Sequence, residues 1–315
     1  MSVIVPACNA ASTIRRCLEA LGSQSRPADE VIVVDDGSTD GTARVAEELG
    51  VQVIRQPNEG PGAARNRGAA EAEGDVLLFT DADCAPAADW IERMMAGFDS
   101  RDAVGVKGTY WTRQRGLVPR FVQLEYESRY DRMEGRESID FVDTYSAGYR
   151  REVFDESGGF DEALRMNQDQ ELSFRLAEAG RRLVFVPEAR VYHVHDRTLL
   201  EYVRRKLGIG YWKARVVRAH PEKAVVDSHT PQTLKVQIGL AALGGILLVA
   251  GVFDGRFAVA GLTAWGLLFL SGVPFLVKVW RRDRAVVLVA PVMLFLRAWA
   301  LGLGFLIGTI TLLFG

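Results

Sequence analysis

Residues 31–38 read Val-Ile-Val-Val-Asp-Asp-Gly-Ser, an unbroken apolar run that ends in two aspartates and a glycine. Four consecutive β-branched side chains are typical of a strand that is covered on both faces, as in a parallel sheet. Asp, Gly and Ser favour a turn directly after such a strand. The stretch therefore predicts a buried strand whose carboxyl end presents carboxylates at a turn.

The same alternation of strand and helix patterns extends on both sides of this stretch. Short runs rich in Val, Ile and Leu at 3–5, 51–54 and 76–79 alternate with segments whose apolar residues recur every three or four positions, such as the one that begins at Ile14. Strands that alternate with helices predict a mostly parallel sheet with right-handed crossovers. We therefore expect an α/β domain with a Rossmann-like central sheet.

The second half of this domain is less regular in sequence. Between residues 105 and 144, aromatic and charged residues mix without a clear period. The pattern then resumes and predicts a helix over 168–179 and strands over 183–186 and 191–194.

Polar residues follow three of the predicted strands, at Pro6-Ala7-Cys8-Asn9, Asp35-Asp36 and Asp81-Ala82-Asp83. In an open α/β sheet, ligands bind beyond the carboxyl ends of the strands. An Asp-x-Asp pair in that position suits a hard divalent cation that also contacts phosphate oxygens. Turn and N-cap aspartates produce the same pair without a metal, so the motif alone leaves both interpretations open.

A dinucleotide-dependent oxidoreductase is disfavoured. That class needs Gly-x-Gly-x-x-Gly after the first strand, where backbone approaches a pyrophosphate. Residues 6–11 read Pro-Ala-Cys-Asn-Ala-Ala instead, and the glycines at 60–65 follow the third strand and lack the third glycine.

Charge divides the chain into two parts. The first 233 residues carry 31 basic and 38 acidic residues, whereas residues 234–315 carry seven basic and two acidic ones. The acidic first part contains no basic stripe, which argues against nucleic acid as a partner. Three widely spaced cysteines and the absence of a signal-peptide pattern predict that this part lies in a reducing compartment, the cytoplasm.

The C-terminal part contains three apolar runs, at 236–253, 257–277 and 285–315, the last interrupted by Arg297. Runs of this length match the hydrocarbon thickness of a bilayer. They predict a membrane domain over 234–315 with two to four transmembrane helices, three being the preferred number. The basic loop at 281–284 is expected on the cytoplasmic side.

The segment before the membrane domain is basic and aromatic. We interpret residues 199–218 as an interfacial helix that ends the first domain (1–218), and residues 219–233 as a linker. An ordinary solvated surface helix remains the alternative for 199–218.

Taken together, the motifs resemble the family 2 glycosyltransferases, whose catalytic domain has the fold called GT-A. The resemblance covers about residues 2–218. It rests on blocks in the family's order, at 3–9, 31–42, 60–68, 79–83, 158–162 and 168–175.

The resemblance implies a nucleotide-sugar pocket at the first three strand ends. Asp36, with Asp35 as the alternative, would accept a hydrogen bond from the base, usually uracil. The remaining nucleotide-sugar-binding residues implied by the family blocks are Pro6, Asn9, Arg65, Asp81 and Ala82.

The resemblance also implies a divalent cation, Mg²⁺ or Mn²⁺, and a catalytic base. Asp83 and Asp81 would bind the metal, with His193 or His195 as a candidate further ligand. Asp169 stands where the family keeps its base, but Gln168 replaces the glutamate that usually precedes it. This departure puts the tuning of the base in doubt, not its presence.

These expectations add up to an integral protein of the cell's inner membrane with a cytoplasmic catalytic domain. It would invert the anomeric centre as it transfers sugar from a UDP-linked donor to a hydroxyl of a lipid-linked acceptor, in cell-envelope glycan or glycolipid synthesis.

One alternative is a processive polysaccharide synthase, although the Gln-x-x-Arg-Trp motif of that class is missing around residues 204–212. The other is a catalytically inactive membrane scaffold that binds sugar nucleotides.

Overall fold

The computed structural model describes residues 1–225, 227, 228 and 230–314. Within them the chain forms two compact units, each built from two stretches. The first unit consists of residues 1–113 and 130–194, and the second of residues 114–129 and those from 195 onward.

The predicted domain boundaries at 218 and 233 stay a prediction, and residues 226, 229 and 315 of the predicted linker and membrane domain lie outside the described residues. The compact units divide the chain differently, because the predicted interfacial helix belongs to the second unit, together with the apolar helices that follow it.

The first unit contains an eight-stranded sheet with helices between its strands. Its elements in chain order, including a fifth helix that begins in the second unit, are β1 (Ser2–Ala7), α1 (Ile14–Gly22), β2 (Glu30–Asp36), α2 (Thr42–Glu48), β3 (Gln52–Gln56), α3 (Pro61–Glu71), β4 (Val76–Phe79), β5 (Cys84–Pro86), α4 (Trp90–Ala96), β6 (Ala103–Trp111), α5 (Leu117–Met133), β7 (Ala147–Arg150), α6 (Arg151–Glu156), α7 (Gln168–Glu178) and β8 (Arg182–His193).

The strand order is β3-β2-β1-β4-β7-β6-β8-β5. Strands β3, β2, β1 and β4 are parallel neighbours, as are β6 and β8, whereas β7 is antiparallel to β4 and β6, and β5 is antiparallel to β8. The predicted α/β fold with a mostly parallel central sheet is confirmed. The parallel half brings the ends of β1, β2 and β4 to one edge of the sheet.

Two sequence predictions for this unit were incomplete. The predicted strands at 183–186 and 191–194 are one strand, β8, which stays paired with β6 across a register shift between Lys107 and Thr109. The irregular region 105–144 holds most of β6 and all of α5. Strand β6 shows no alternation because eight of its nine residues are buried, including Lys107, whose ammonium pairs with buried Asp143.

The apolar core of the first unit packs helices against the sheet around an aromatic cluster. The ring of Phe79, at the end of β4, lies 5.6 Å from that of Phe154 and 5.5 Å from that of Phe160, measured between centroids. All three side chains are buried. Because Phe79 lies two residues before Asp81, this cluster anchors the end of the strand that presents the carboxylates.

The second unit is helical. After the start of α5 it contains α8 (Leu199–Ala219), α9 (Gln232–Ala250), α10 (Gly255–Ser271), α11 (Val273–Arg282) and α12 (Ala290–Phe314). Among the described helices, α9 and α12 are long and apolar enough to cross a membrane, and α10 with α11 forms a third candidate that is bent by 43°. Two or three candidate spans fall within the two to four predicted.

Helix α8 packs closely against α12. A Cβ atom at Gly304 would lie 2.1 Å from the carbonyl oxygen of Leu207, and one at Gly308 would lie 2.2 Å from that of Tyr211. Small residues let two helix backbones approach in this way. The predicted interfacial position of α8 stays a prediction, but one of its faces is covered by an apolar candidate span.

Four helices of the second unit share a buried polar network. The carboxylate of Glu125 on α5 accepts hydrogen bonds from Arg297 of α12 (2.7 Å) and from the hydroxyl of Tyr202 (3.1 Å), and it pairs with the ammonium of Lys206 on α8 (3.0 Å). Arg297 also donates to the side-chain oxygen of Gln237 on α9, at 2.8 Å. The arginine that interrupts the last apolar run is therefore buried and paired.

Candidate active site

A cavity of about 620 Å³ opens at the carboxyl ends of β1, β2 and β4. Seven of the ten residues predicted to bind the nucleotide sugar or the metal line it, and three, Asp35, His193 and His195, do not. The predicted base, Asp169, does not line it either. The seven are Pro6, Asn9, Asp36, Arg65, Asp81, Ala82 and Asp83. The edge of the sheet that was predicted to bind the ligand therefore does carry a pocket.

Asp36 is the most firmly held carboxylate of the cavity. Its Oδ1 accepts hydrogen bonds from the side-chain amide of Gln56 (2.8 Å) and the backbone N–H of Glu59 (2.9 Å), and its Oδ2 accepts one from the N–H of Gly60 (3.0 Å). Gly60 has a φ of 105°, a left-handed conformation that glycine adopts without a steric penalty. The loop before α3 thus holds the Asp36 side chain in one orientation.

Asp35 and Asp36 face different surroundings, because successive side chains of a strand point to opposite faces. Asp35 is buried and accepts a hydrogen bond from the backbone N–H of Ser38, at 3.3 Å. Asn9 lines the cavity with a positive φ of 52°, and its side-chain oxygen accepts from the N–H of Thr39, at 2.9 Å. Of the two aspartates, the geometry favours Asp36 as the ligand-facing one.

Arg65 joins the α3 helix to the Asp-x-Asp stretch. Its side chain is almost fully buried, and Nη2 donates to Oδ1 of Asp81 at 2.6 Å. Among the described residues, Nε of Arg65 has no hydrogen-bond partner. A buried, unsatisfied N–H is costly, so a ligand oxygen in this cavity would remove a penalty that the protein alone leaves in place.

The carboxylates of Asp81 and Asp83 and the thiol of Cys84 lie within 4.8 Å of one another. The two carboxylates remain partly exposed, 29% for Asp81 and 44% for Asp83. Burial raises the pKa of Cys84 well above its ordinary value, so Cys84 stays a neutral thiol. Oxygen donors without a thiolate fit Mg²⁺ or Mn²⁺ better than a soft metal.

His193, the last residue of β8, extends this cluster. Its Nε2 lies 3.1 Å from Oδ2 of Asp83, and its ring stacks on Tyr110 at 4.5 Å. Burial alone would raise the pKa of Asp83, but the hydrogen bond and charge of His193 outweigh burial and hold it below its ordinary value. An ionised Asp83 beside an imidazole is the donor set that a divalent cation needs.

His195 lies in the other unit and has different partners. Its Nε2 is 3.1 Å from the side-chain oxygen of Gln123, its backbone N–H donates to Gln114, and its ring stacks on Tyr126. Of the two predicted histidines, the structure brings His193 to the Asp-x-Asp carboxylates.

Asp169 is the second residue of α7, preceded by Asn167 in a left-handed conformation (φ 64°). Its Oδ1 accepts the backbone N–H of Gln170 at 2.8 Å. Burial raises the pKa of Asp169, the charges of Arg65 and Lys107 oppose this rise, and the net direction is upward. A raised pKa suits a carboxylate that takes up a proton near neutral pH.

The cavity residues that the sequence interpretation missed include Asn58 and Arg165. Asn58 donates to the backbone oxygen of Asp36 (3.1 Å), and Arg165 donates through Nη1 to the side-chain oxygen of Asn58 (3.2 Å). Both line the cavity. Asn58 belongs to a recognisable turn with Glu59 and Gly60, but no local pattern marks Arg165, which is 107 positions away in the chain.

Comparisons with known proteins place this chain in a family. The sequence profile described as "Glycosyl transferase family 2" matches residues 2–158. Glycosyltransferase AglE of Haloferax volcanii is 30% identical over 236 residues, which covers 69% of this chain and 73% of that protein. The pre-mycofactocin glycosyltransferase of Mycobacterium tuberculosis is 30% identical over 268 residues, 82% of this chain, but the chain spans only about half of that relative, 54%.

Solved structures share the fold at low sequence identity. A mannosyltransferase from Pyrobaculum calidifontis, solved with GDP-mannose and Mn²⁺, matches with a TM-score of 0.61 and 18% identity over 98% of this chain and 85% of its own. Glucosyl-3-phosphoglycerate synthase from Mycobacterium tuberculosis, solved with Mn²⁺, UDP-glucose and phosphoglyceric acid, matches with a TM-score of 0.52 and 19% identity, covering 69% and 78%. With the ordered motifs, the AglE relationship and this shared GT-A fold, the chain belongs to the family 2 glycosyltransferases.

Proposed function

We propose that this protein transfers a sugar from a nucleoside diphosphate donor, UDP-linked, to a hydroxyl group of a lipid-linked acceptor, with inversion at the anomeric carbon. The observation that carries the proposal is the composition of one cavity, which is lined by Asp36, by Arg65 and by the partly exposed Asp81 and Asp83. Similar proteins were solved with GDP-mannose or UDP-glucose together with Mn²⁺.

In this proposal the donor diphosphate lies beside Asp81 and Asp83, which would hold Mg²⁺ or Mn²⁺ with His193. Such a cation, when bound, neutralises charge on the diphosphate leaving group. Arg65 adds a guanidinium donor whose Nε lacks a partner among the described residues. The raised pKa of Asp169 fits a general base that removes the proton from the acceptor hydroxyl.

The bond changes balance without a further reactant. The acceptor oxygen attacks the anomeric carbon from the face opposite the diphosphate, the carbon–oxygen bond to the diphosphate breaks, and Asp169 takes the hydroxyl proton. A nucleoside diphosphate and an inverted glycoside are the products.

The lipid-linked acceptor, a polyprenyl phosphate or its glycosylated diphosphate, is inferred from the apolar helices. A water-soluble acceptor gives no reason for two or three candidate spans. Helix α8 places Tyr211 and Trp212 and several basic residues next in the chain before them, a composition suited to headgroups.

Detergent-solubilised full-length protein tests this proposal directly. Transfer to a polyprenyl-phosphate acceptor is compared with transfer to its tail-less, water-soluble analogue, with the same donor and Mn²⁺. We expect strong preference for the lipid. Equal efficiency on both would remove the lipid from the proposal, and nucleotide-sugar binding without hydrolysis or transfer would favour an inactive scaffold instead.

We also propose an inner-membrane location with the catalytic residues in the cytoplasm. The basic loop at 281–284 is held to α5 by the pair between Arg120 and Asp283, and basic loops face the cytoplasm. When intact cells are labelled from outside, a cysteine placed in this loop should stay unlabelled, and a cysteine placed in the loop at Asp254 should be labelled. Labelling of residue 281 from outside would contradict this orientation.

A further inference from the structure

A buried tyrosine of the first unit, Tyr110 on β6, contacts two of the candidate metal ligands. Its hydroxyl donates to Oδ2 of Asp81 at 3.4 Å, and its ring stacks on the imidazole of His193, with 4.5 Å between centroids and 22° between planes. Tyr110 is paired with Val191 of β8, and His193 follows two positions later, so both side chains lie on the same face of the sheet. The register of the two strands therefore brings this ring to the metal site.

The carboxylate of Asp81 is held at both of its oxygens. Its Oδ1 accepts a hydrogen bond from Nη2 of Arg65 at 2.6 Å, and its Oδ2 accepts the one from Tyr110. A carboxylate oxygen has about two acceptor positions, so each oxygen of Asp81 keeps one for a further partner such as a cation. The hydroxyl of Tyr110 thus orients the carboxylate and leaves it able to bind.

The imidazole of His193 is held through its plane. Tyr145 also stacks on Tyr110, with 17° between the two planes. One face of a ring has room for a single stacked ring, so Tyr110 lies between His193 and Tyr145. Because stacked rings keep their planes nearly parallel, Tyr110 fixes the orientation of the imidazole, whose Nε2 lies 3.1 Å from Oδ2 of Asp83.

Tyr110 is itself fixed by a buried chain of hydrogen bonds. Its backbone N–H donates to the hydroxyl of Tyr130 at 2.7 Å, and that hydroxyl is hydrogen-bonded to the hydroxyl of Tyr145 at 2.8 Å. The ammonium of Lys107 donates to the Tyr145 hydroxyl at 3.5 Å and pairs with Asp143. All five residues are buried. A buried network whose members bond to one another is rigid, so it gives Tyr110 a firm backing.

We infer that Tyr110 is a positioning residue of the metal site, which orients the imidazole of His193 through its ring and the carboxylate of Asp81 through its hydroxyl. The inference rests on the proposed function, because it assumes that these side chains bind Mg²⁺ or Mn²⁺. Filling the core requires only an apolar ring, whereas the hydroxyl bonded to Asp81 serves the site. Groups that orient metal ligands typically contribute about tenfold to a hundredfold to metal affinity.

Binding of Mn²⁺ to the full-length protein in detergent, with an equimolar amount of UDP, tests the inference, and electron paramagnetic resonance measures the free ion. Tyr110→Phe removes only the hydroxyl and should weaken Mn²⁺ binding about twofold to threefold, the effect of one long hydrogen bond. Tyr110→Leu removes the ring as well, and the loss should reach about tenfold to a hundredfold. An equal loss in the two variants would overturn the role of the ring.

A double-mutant comparison separates positioning from damage to the core. The difference in Mn²⁺ affinity between Tyr110→Phe and Tyr110→Leu should vanish once His193→Ala has removed the imidazole. The same difference with and without His193 would overturn the inference, because the ring would then act on the fold. If circular dichroism shows that Tyr110→Leu does not fold, Tyr110→Met, whose flexible side chain also lacks a ring, takes its place.

Tyr192→Leu is the matched control. Tyr192 precedes His193 in β8 but points to the opposite face, where its ring centroid lies 3.9 Å from the guanidinium carbon of Arg113. This variant should leave Mn²⁺ affinity unchanged. A loss as large as that of Tyr110→Leu would assign both losses to damage of the sheet and overturn the inference.

The inference and the proposed function fail differently. Mn²⁺ binding by the unmodified protein that Tyr110→Leu leaves unchanged would overturn the role of Tyr110 alone. Failure of the unmodified protein to bind Mn²⁺ in the presence of UDP would overturn both the inference and the metal site of the proposed function.

Discussion

The two carboxylates of the Asp-x-Asp pair in the first unit stay partly exposed at a strand end, whereas the charged side chains at the centre of the second unit are buried and paired with one another. Asp83 keeps 44% of its side chain exposed and lies beside an imidazole, so it retains capacity for a ligand. Glu125 is 3% exposed and is shared by Arg297 and Lys206. The difference separates charges that are available for chemistry from charges that hold helices together.

The largest expected effect concerns the proposed base. Asp169→Asn removes the proton acceptor and should lower kcat by about 10²–10⁴-fold. Binding of the donor nucleotide should persist, because Asp169 does not line the nucleotide cavity. Steady-state kinetics with a matched Asp155→Asn control, an exposed aspartate on α6, checks this. Full activity in Asp169→Asn would show that another group is the base.

Breaking the buried network should destabilise the second unit. Burial alone would raise the pKa of Glu125, but the charges of Lys206, Arg297 and Arg129 outweigh it and hold the carboxylate ionised. Glu125→Gln leaves buried cations without their counter-charge, which costs about 3–5 kcal/mol. Denaturant unfolding in detergent measures the loss, with exposed Glu134→Gln as the control.

That comparison can be sharpened with an apolar replacement. Replacing Glu125, Lys206 and Arg297 together by Leu, Met and Leu should recover much of the stability, since an apolar cluster of similar volume often substitutes for buried ions. If the triple variant were as unstable as Glu125→Gln, apolar packing could not replace the charged network at this position.

A smaller effect is expected at the metal site. Asp83→Asn removes one anionic ligand, so the Mn²⁺-dependent gain in UDP affinity should be lost, about tenfold or more. The domain should stay folded because Asp83 is partly exposed. Calorimetry with and without Mn²⁺ measures the gain, and Asp89→Asn, at an exposed surface pair with Arg93, is the control. An undiminished gain would exclude Asp83 as a ligand.

The smallest expected effect is a displacement of the pH profile. A general base must be ionised, so activity should fall as the pH drops through the pKa of Asp169. Because burial raises that pKa, the acid limb of kcat/KM should lie above about 3.9, the ordinary value for aspartate. The residual activity of Asp169→Asn should lack this limb, and a limb at or below the ordinary value would contradict the raised pKa.

Choices between neighbouring residues show where sequence reasoning reached its limit. The strand ends were predictable from apolar runs, yet the choice between Asp35 and Asp36 depends on which face of β2 meets the cavity. The choice between His193 and His195 depends on where β8 ends, and that point is set by its pairing with β5 at Cys84. The irregular segment 105–144 concealed β6 because a strand buried on both faces lacks a period. It concealed α5 because residues 121–125 of that helix are all buried, the polar ones included.

The sequence by itself determined the alternation of strands and helices, the carboxylates at the strand ends and the apolar C-terminal runs, because each is a local pattern of side-chain size and polarity. Only the tertiary structure decided that Arg297 pairs with Glu125, 172 positions away, and that Arg165 reaches Asn58, 107 positions away. Local periodicity sets what a segment becomes, but long-range partners depend on how helices and loops pack, which no short stretch of sequence encodes.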